Sequence, residues 1–284
     1  MRSSHNVMKV SALHIYPIKS TAPITLLRAA VSKYGLEHDR RWALYAEDGQ
    51  VLTGRQHPRL LDIQCSISAS SCLVHHNSIL IAELPFSNES TQPVQHVKIF
   101  SNDAFGSSVD PVIDRWFSDY LGVRCRLLQV NTSRVRPVLE KHGGQDGEAV
   151  AFADQAPVLI TSESSLRDLN ERSAAPILMN RFRPNIVVRD TAAFEEDDWE
   201  IIKIGSTTLR VIQQCERCVF TTIDPATKTK DTKKEPLTTL SKYRKSVKGG
   251  IIFGVHAVHI IDGTINVDDD VKISSYTHRP VLGS

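Results

Sequence analysis

The rhythm of the first eighty or so residues constrains the fold more than any other feature. Val10–Tyr16, Ile24–Ser32, Trp42–Tyr45, Val51–Thr53, Ile63–Ile67, Cys72–Val74 and Ile79–Ile81 read as short strands. They are separated only by turn signals such as Asp48-Gly49 and His57-Pro58 and by the polar stretch Ser87–Gln92. Strands this short and this closely spaced predict a sheet that curls or closes. Behind Asp110-Pro111, the spacing of Val112, Ile113, Trp116, Phe117 and Leu121 predicts a helix of about three turns over Val109–Leu121. Arg124–Val130 then returns to a strand pattern.

A chain of 284 residues exceeds the usual span of one hydrophobic core, so two domains are expected. The Gly-rich polar run Lys141–Gly147 reads as a mobile loop or hinge, and the boundary is placed near it, between a β-rich domain over 7–130 and a second domain over 131–278. The second half opens with the buried-strand run Ala156–Ile160. Thr161–Asn170 follows with the hydroxyl-rich pattern of a helix N-terminus, an end that can receive an anion. Arg181–Val188, Trp199–Ile204, Thr208–Ile212, Ile251–Ile261 and Val271–Ile273 are strand-like, so the fold class is α+β, mainly β.

Hydrophobic content of 41% with 23% charged residues is that of an ordinary globular protein. The net charge of +2 gives no field that recruits nucleic acid or an acidic membrane, and the basic runs Lys228–Lys234 and Lys242–Lys248 read as solvated loops. No signal-peptide core or integral membrane segment follows the polar start Met1–Lys9. Five cysteines, an odd number, do not look like a disulfide framework. The expected location is cytoplasmic, with an association with mitochondria left open.

Two of those cysteines form Cys215-Glu216-Arg217-Cys218, behind the apolar pattern Leu209, Val211 and Ile212. A thiolate is both a soft metal ligand and a nucleophile, and a neighbouring Arg favours its charged form. Cys65, Cys72 and Cys125 supply no second Cys-x-x-Cys, which disfavours a closed four-cysteine zinc site. Thioredoxin-type chemistry is disfavoured too, because the pair follows a strand late in the chain and Val219-Phe220-Thr221-Thr222 continues in β-favouring residues. A Cys nucleophile with a histidine base (His38, His57, His256 or His259), or simply two half-buried cysteines on a strand, stays open.

Cationic residues recur at the ends of the apolar runs: Lys19, Arg40, Arg41, Arg55, Arg181, Arg183 and Arg217. If their side chains converge on one cleft, an anion is the natural occupant, since guanidinium binds phosphate bidentately and lysine adds a point charge. Taken singly, each is better explained as a solvated surface cation.

Taken together, Tyr16-Pro17-Ile18-Lys19-Ser20, Gly35-Leu36 with Asp39-Arg40-Arg41-Trp42, Thr53-Gly54-Arg55-Gln56-His57-Pro58-Arg59-Leu60, Arg181-Phe182-Arg183-Pro184-Asn185-Ile186-Val187, and Cys215-Glu216-Arg217-Cys218 with Thr221-Thr222-Ile223-Asp224-Pro225 carry a resemblance. Over nearly its whole length the chain resembles the MOSC proteins, named for the C-terminal domain of molybdenum cofactor sulfurase, in their two-domain subgroup with the mitochondrial amidoxime-reducing components. The resemblance implies a β-barrel-like MOSC domain (131–278) packed on a smaller α/β N-terminal domain (7–130), with a cofactor cleft between them. It also implies molybdenum cofactor, a molybdenum–molybdopterin group, held through one protein thiolate. Cys218 matches the metal ligand and catalytic position, with Cys215 a neighbour.

Lys19, Ser20, Arg40, Arg183 and Asn185 match positions that hold the pterin and its phosphate, and Asp154, Ser162, Glu216, Arg217 and His256 are assigned by proximity to the same motifs. The implied activity is reduction of small N-hydroxylated compounds with electrons from a separate donor protein, a flavoprotein with a haem or iron–sulfur carrier. No cysteine follows Cys218 that would hold a fused iron–sulfur cluster. A second reading is a carrier of the cofactor, or of sulfur on Cys218. The sequence departs from the family where Asp224-Pro225-Ala226-Thr227 continues with Lys228 in place of the usual Gly, a residue that takes φ > 0 less freely.

Overall fold

Strand propensity and close spacing produce a mainly β molecule with three α-helices among the residues described by the computed structural model, which are 7–87, 93–134 and 136–282. The largest sheet has eight strands, in the spatial order Val271–Tyr276, Trp199–Ile204, Thr207–Glu216, Ile252–Ile261, Val158–Ser162, Ile186–Arg189, Lys9–Ile15 and Ile24–Leu26. Only the Val158–Ser162 and Ile186–Arg189 pair is parallel. Alternation sets which face is buried: Val10, Leu13, Val158, Ile160, Trp199, Ile202, Leu209, Val211, Val255 and Ala257 form one core, each a side chain whose removal from water contributes up to ~3 kcal/mol.

The N-terminal part of the chain supplies two strands of this sheet. Val10 pairs with Val188 and Leu13 with Ile186, while Arg28–Ser32 pairs with Gly263–Asn266 in a neighbouring small sheet. The remainder of the N-terminal half builds a four-stranded sheet in the order Trp42–Ala46, Cys125–Val130, Asn102–Ser108, Val94–Ile99. Helix Pro111–Leu121 packs Ile113 and Phe117 against Trp42, Leu60, Ile63, Cys72 and Leu127. Its ends follow the sequence: Asp110 accepts a hydrogen bond from Val112 N, Pro111 takes the first position, and Gly122 closes it at φ 70°.

Several local expectations differ from what the chain does. The Ile24–Ser32 run breaks at Leu27, which is exposed, into two strands that join different sheets. Val51–Thr53 forms no strand beyond a bridge from Val51 to Tyr45. The run Val219–Thr222 is a 3-10 turn, and the strand before it ends at Glu216. Lys141–Gly147 is a pinned loop: Arg210 donates to Gly143 O at 3.1 Å and to both Glu148 carboxylate oxygens at 2.6 and 2.8 Å. The polar stretch Ser87–Gln92 lies outside the described residues from position 88 onward, as does the start of the chain before Val7.

The N-terminus of helix Glu163–Arg172 is met by one of the protein's own carboxyl groups. Ser162 caps Ser165 N at 3.1 Å, and Ser165 Oγ donates to the fully buried Glu196 carboxyl at 2.7 and 2.9 Å. Burial, with Asp197 adding to it, pushes the Glu196 carboxyl up to about 7. A raised folded value means the folded state holds a proton that the unfolded chain releases. The stabilisation is therefore complete below the unfolded value and is lost as pH rises through about 7.

Two predictions follow from this packing. Glu196→Gln, which keeps the shape and the hydrogen-bonding oxygen, should flatten the fall in stability between pH 4.5 and about 7, a slope worth at most ~3 kcal/mol. Denaturant titrations at several pH values read this, and an unchanged slope would sink it. Second, Gly254 at φ 73° has no room for a Cβ, which would lie 2.6 Å from Ile160 O, whereas Gly249 at φ 86° faces open space. Gly254→Ala should therefore cost roughly 2–3 kcal/mol more than Gly249→Ala in chemical denaturation, because both share the left-handed strain and only one adds a clash with backbone.

Candidate functional site

A cavity of about 690 Å³ opens between the large sheet and the N-terminal half. It gathers Lys19, Ser20, Arg40, Asp154, Arg183, Asn185, Glu216, Arg217, Cys218 and His256 from segments far apart in sequence. Of the site residues expected from sequence, Ser162 is the one left outside: it caps a helix and faces the Glu196 pair.

Strand ends and unusual backbone bring the cations in. The strand Lys9–Ile15 delivers Tyr16-Pro17-Ile18 and then Lys19, followed by Ser20 at φ 73°. Arg40 at φ 46° and Arg183 at φ 57° are also left-handed, a conformation that non-glycine residues hold only where their surroundings impose it. Tyr16 supplies those surroundings. Its ring lies under both guanidinium groups, 4.5 Å from Arg40 and 4.0 Å from Arg183, and its hydroxyl donates to Pro184 O. Arg40 donates to Asp39 at 2.5 Å and to Asn185 Oδ1 at 3.1 Å. Asn185 spends the rest of its amide on Leu159 N and His14 O. It lines the cavity and also holds Arg40 in place.

Asp154 organises the opposite wall. Its carboxylate accepts from Lys19 Nζ, and from Arg55 Nη2 at 2.8 Å. Arg136, a buried residue without a sequence signal of its own, fixes the Asp154 loop by donating to Ala151 O, Ala153 O and Asp154 O. Burial alone would raise the Asp154 carboxyl, yet the charges of Lys19 and Arg55 outweigh it and hold the group well below the usual carboxylate range. Lys19, 7% exposed, is drawn down to about 8 by burial despite Asp154, and burial brings Arg183 down to about 10. The cavity therefore holds an excess of desolvated positive charge that an anion would relieve.

The two cysteines have opposite fates. Cys215 is 4% exposed at the end of its strand; burial pushes its thiol up, opposed by Arg217, whose Nη1 lies 2.8 Å from the sulfur. Cys218, two residues past the strand, begins the 3-10 turn, is half-buried and lines the cavity. The guanidinium at its sulfur is that of Arg55, with Nε 3.2 Å from Sγ. The expectation that the adjacent arginine serves the functional cysteine is thus corrected: Arg217 serves Cys215, and Arg55 arrives from another part of the chain. Gly54, beside Arg55 in sequence, lets the Phe220 ring pack against the backbone, because a Cβ there would lie 2.5 Å from that ring.

Glu216 and His256 complete the floor. Glu216 accepts from Ser246 Oγ at 2.9 Å. Gln213 Nε2 faces both Gln155 Oε1 at 3.0 Å and His256 Nδ1 at 3.2 Å, so the imidazole accepts at Nδ1 and carries its proton on Nε2. Burial, reinforced by Arg217, pushes His256 down to about 3, so it is neutral. Lys228, where the family pattern has Gly, adopts the left-handed conformation at φ 60° and pairs with Asp62 at 2.6 Å, so the substitution keeps the turn.

Among the described residues no three His, Cys, Asp or Glu side chains are grouped to hold a bare metal ion. The donor set fits a metal that brings its other ligands with it: one accessible thiol beside a basin of cations. Within that basin Arg183 Nη2 and Arg217 Nε are buried without a partner among the described residues. Buried N–H groups of this kind are costly unless a ligand accepts from them.

The family models for the MOSC N-terminal beta barrel domain and the MOSC domain match residues 7–124 and 147–272. The chain is 34% identical to mitochondrial amidoxime reducing component 2 of Bos taurus, over 95% of this chain and 84% of that one. It is 33% identical to mitochondrial amidoxime reducing component 2 of Homo sapiens, with the same coverage. It is 35% identical to mitochondrial amidoxime-reducing component 1 of Danio rerio, over 94% of this chain and 85% of that one. The chain belongs to the two-domain MOSC family, that of the mitochondrial amidoxime-reducing components.

Proposed function

We propose that the protein is a molybdenum-cofactor-dependent oxidoreductase that reduces the N–O bond of N-hydroxylated compounds, with electrons from a separate donor protein. The observation that carries this reading is the pairing of one accessible thiol, Cys218, with a cation basin holding unpartnered buried N–H groups. Cys218 would ligate the metal. Lys19, Ser20, Arg40, Arg183 and Arg217 would receive the pterin and its phosphate, with Asn185 and Asp154 holding the cations in register. Bound there, the cofactor supplies two-electron chemistry, so that R–NH–OH with two electrons and two protons gives R–NH₂ and water.

This chain's own residues do the positioning. Arg55 fixes the Cys218 sulfur at the cavity wall, and Asp154 fixes Arg55 in turn. Cys215 stays buried beneath Arg217, so it does not compete for the metal. Among the described residues no helix is long and apolar enough to cross a membrane. The relatives are named as mitochondrial proteins, and the five unpaired cysteines here suit a reducing compartment such as the cytoplasm.

Protein purified anaerobically from a host that makes molybdenum cofactor should carry near-stoichiometric molybdenum. Cys218→Ala should abolish N–O reduction and lose most of the metal with the fold intact, whereas Cys215→Ser should keep the metal and most of the turnover. Molybdenum and full activity retained in Cys218→Ala would falsify the assignment. A persulfide on Cys218 in protein free of molybdenum would instead favour sulfur transfer.

A further inference from the structure

The Arg55 side chain is held from three directions. Its loop is closed on itself, with Thr53 Oγ1 donating to Gln56 Oε1 at 2.7 Å and the backbone N–H groups of Gln56 and His57 both donating to Thr53 O. From that loop the guanidinium gives Nη2 to Asp154 at 2.8 Å and Nε to the Cys218 sulfur at 3.2 Å. Its central carbon lies over the Phe100 ring, 4.5 Å from the centroid.

Phe100 reaches that position through a strained backbone. It is the first residue of the two-residue turn between the strands Val94–Ile99 and Asn102–Ser108, with Ile99 paired to Asn102, and it sits at φ 56°. Such a position ordinarily carries Gly, Asn or Asp. Core packing does not explain the ring, which is exposed; it lines the cavity and backs the guanidinium. Strain is informative where the strained residue meets a functional group.

A bare positive charge near the sulfur would need none of this. Asp154 lies on the other arm of the guanidinium and offsets its charge, so what the three contacts fix is a direction: one N–H aimed at Cys218 Sγ. A planar fork can be oriented in this way and an ammonium cannot. Among the described residues this is the one hydrogen bond to that sulfur. Arg217 is spent on Cys215, and both Thr221 donors go to Cys218 O.

We propose that the hydrogen bond from Arg55 Nε to Cys218 Sγ sets the reduction potential of the metal that Cys218 ligates, with Asp154 and Phe100 as the positioning residues that aim it. This rests on the proposed function for the identity of the metal; the tuning of its potential is the new element. A donor at a ligating sulfur draws electron density away from the metal, and the reduced, electron-richer centre gains more from it than the oxidised one. Reduction adds an electron at the metal while no bond of the protein forms or breaks. The potential is therefore raised, which favours refilling by the donor protein and lessens the driving force on the N–O bond.

The test titrates the molybdenum-loaded protein and its variants anaerobically with dithionite and redox mediators, following the Mo(V) signal by electron paramagnetic resonance, so a potential is read and not turnover. Arg55→Met leaves no N–H at the position of Nε, whereas Arg55→Gln puts its amide nitrogen there without the charge. Arg55→Met should disfavour reduction roughly tenfold, a fall of about 59 mV for one electron, and Arg55→Gln should recover at least half of that fall. Phe100→Gly keeps Arg55 and relieves the left-handed turn; it should disfavour reduction in the same direction by roughly threefold.

An Arg55→Met potential equal to the parent's overturns the inference. So does an Arg55→Gln potential equal to that of Arg55→Met, which assigns the shift to charge alone. Should Arg55→Met lose its molybdenum, Phe100→Gly decides in its place, and an unmoved potential there overturns the inference. Molybdenum retained in Cys218→Ala defeats the proposed function and the tuning with it, whereas a Cys218-held metal indifferent to Arg55 defeats the tuning alone.

Discussion

The site depends on one carboxylate holding two cations that would otherwise repel. Asp154 accepts from Lys19, delivered by the end of a strand of the large sheet, and from Arg55, delivered by a loop of the N-terminal half. Desolvated like charges brought together without a counter-charge cost far more than a typical surface ion pair returns. Because Arg55 also carries the contact to Cys218, Asp154 couples the position of the thiol to the seam between the two halves. Arg136 makes this possible without adding a free charge to the cavity, since its guanidinium is spent on three carbonyl oxygens of the loop that presents Asp154.

The remaining positive charge is not neutralised by the protein. Arg40 has Asp39, but Arg183 and Arg217 find carbonyl oxygens, aromatic faces and the Cys215 sulfur and leave one nitrogen each unpartnered among the described residues. Tyr16 lies at the centre of that group. Its burial, opposed by Arg183 and Arg40, raises the phenol to about 12, so it stays neutral and offers the cations a ring face instead of a competing anion. A basin built on aromatic faces and carbonyls keeps its charge available for a phosphate, which a basin built on carboxylates would not.

How far the sequence revealed this depends on whether the deciding interaction is local. Asp110-Pro111 and Gly122 bracket a helix because caps act within a few residues, and that helix stands where the spacing of Ile113 and Phe117 puts it. Val94–Ile99 and Asn102–Ser108 left little trace, because the second contains Asn102-Asp103 and Gly106-Ser107-Ser108 and is a strand by virtue of its neighbours. The clustering of Lys19, Arg40, Arg183 and Cys218 was accessible through the family motifs. That Arg55 and not Arg217 meets the Cys218 sulfur was not, because the contact spans 163 residues and no local pattern encodes it. Ser162 lies outside the cavity for the opposite reason: its capping signal was correct, and the group that meets this helix end is the Glu196 carboxyl.

The difference between Cys215 and Cys218 shows how three residues of spacing are turned into two environments. Within the strand Thr207–Glu216 the alternation that buries Thr207, Leu209 and Val211 is shifted near Val211–Gln213 and again near Gln214–Glu216, and Cys215 ends up buried. Arg217 N then bonds to Ile251 O at 2.6 Å, and the chain turns away from the sheet into the 3-10 turn, with Thr221 N and Oγ1 both donating to Cys218 O. Had the strand continued, as the β-favouring Val219-Phe220-Thr221-Thr222 suggests, Cys218 would have stayed in the pleat of the sheet, on the face opposite Cys215. The turn places the second sulfur at the cavity wall instead, and Gly54 leaves the space in which Phe220 packs behind it. The exposure of Cys218 is therefore a consequence of where the strand stops, and the backbone contact of Arg217, more than its charge, belongs to what makes the thiol accessible.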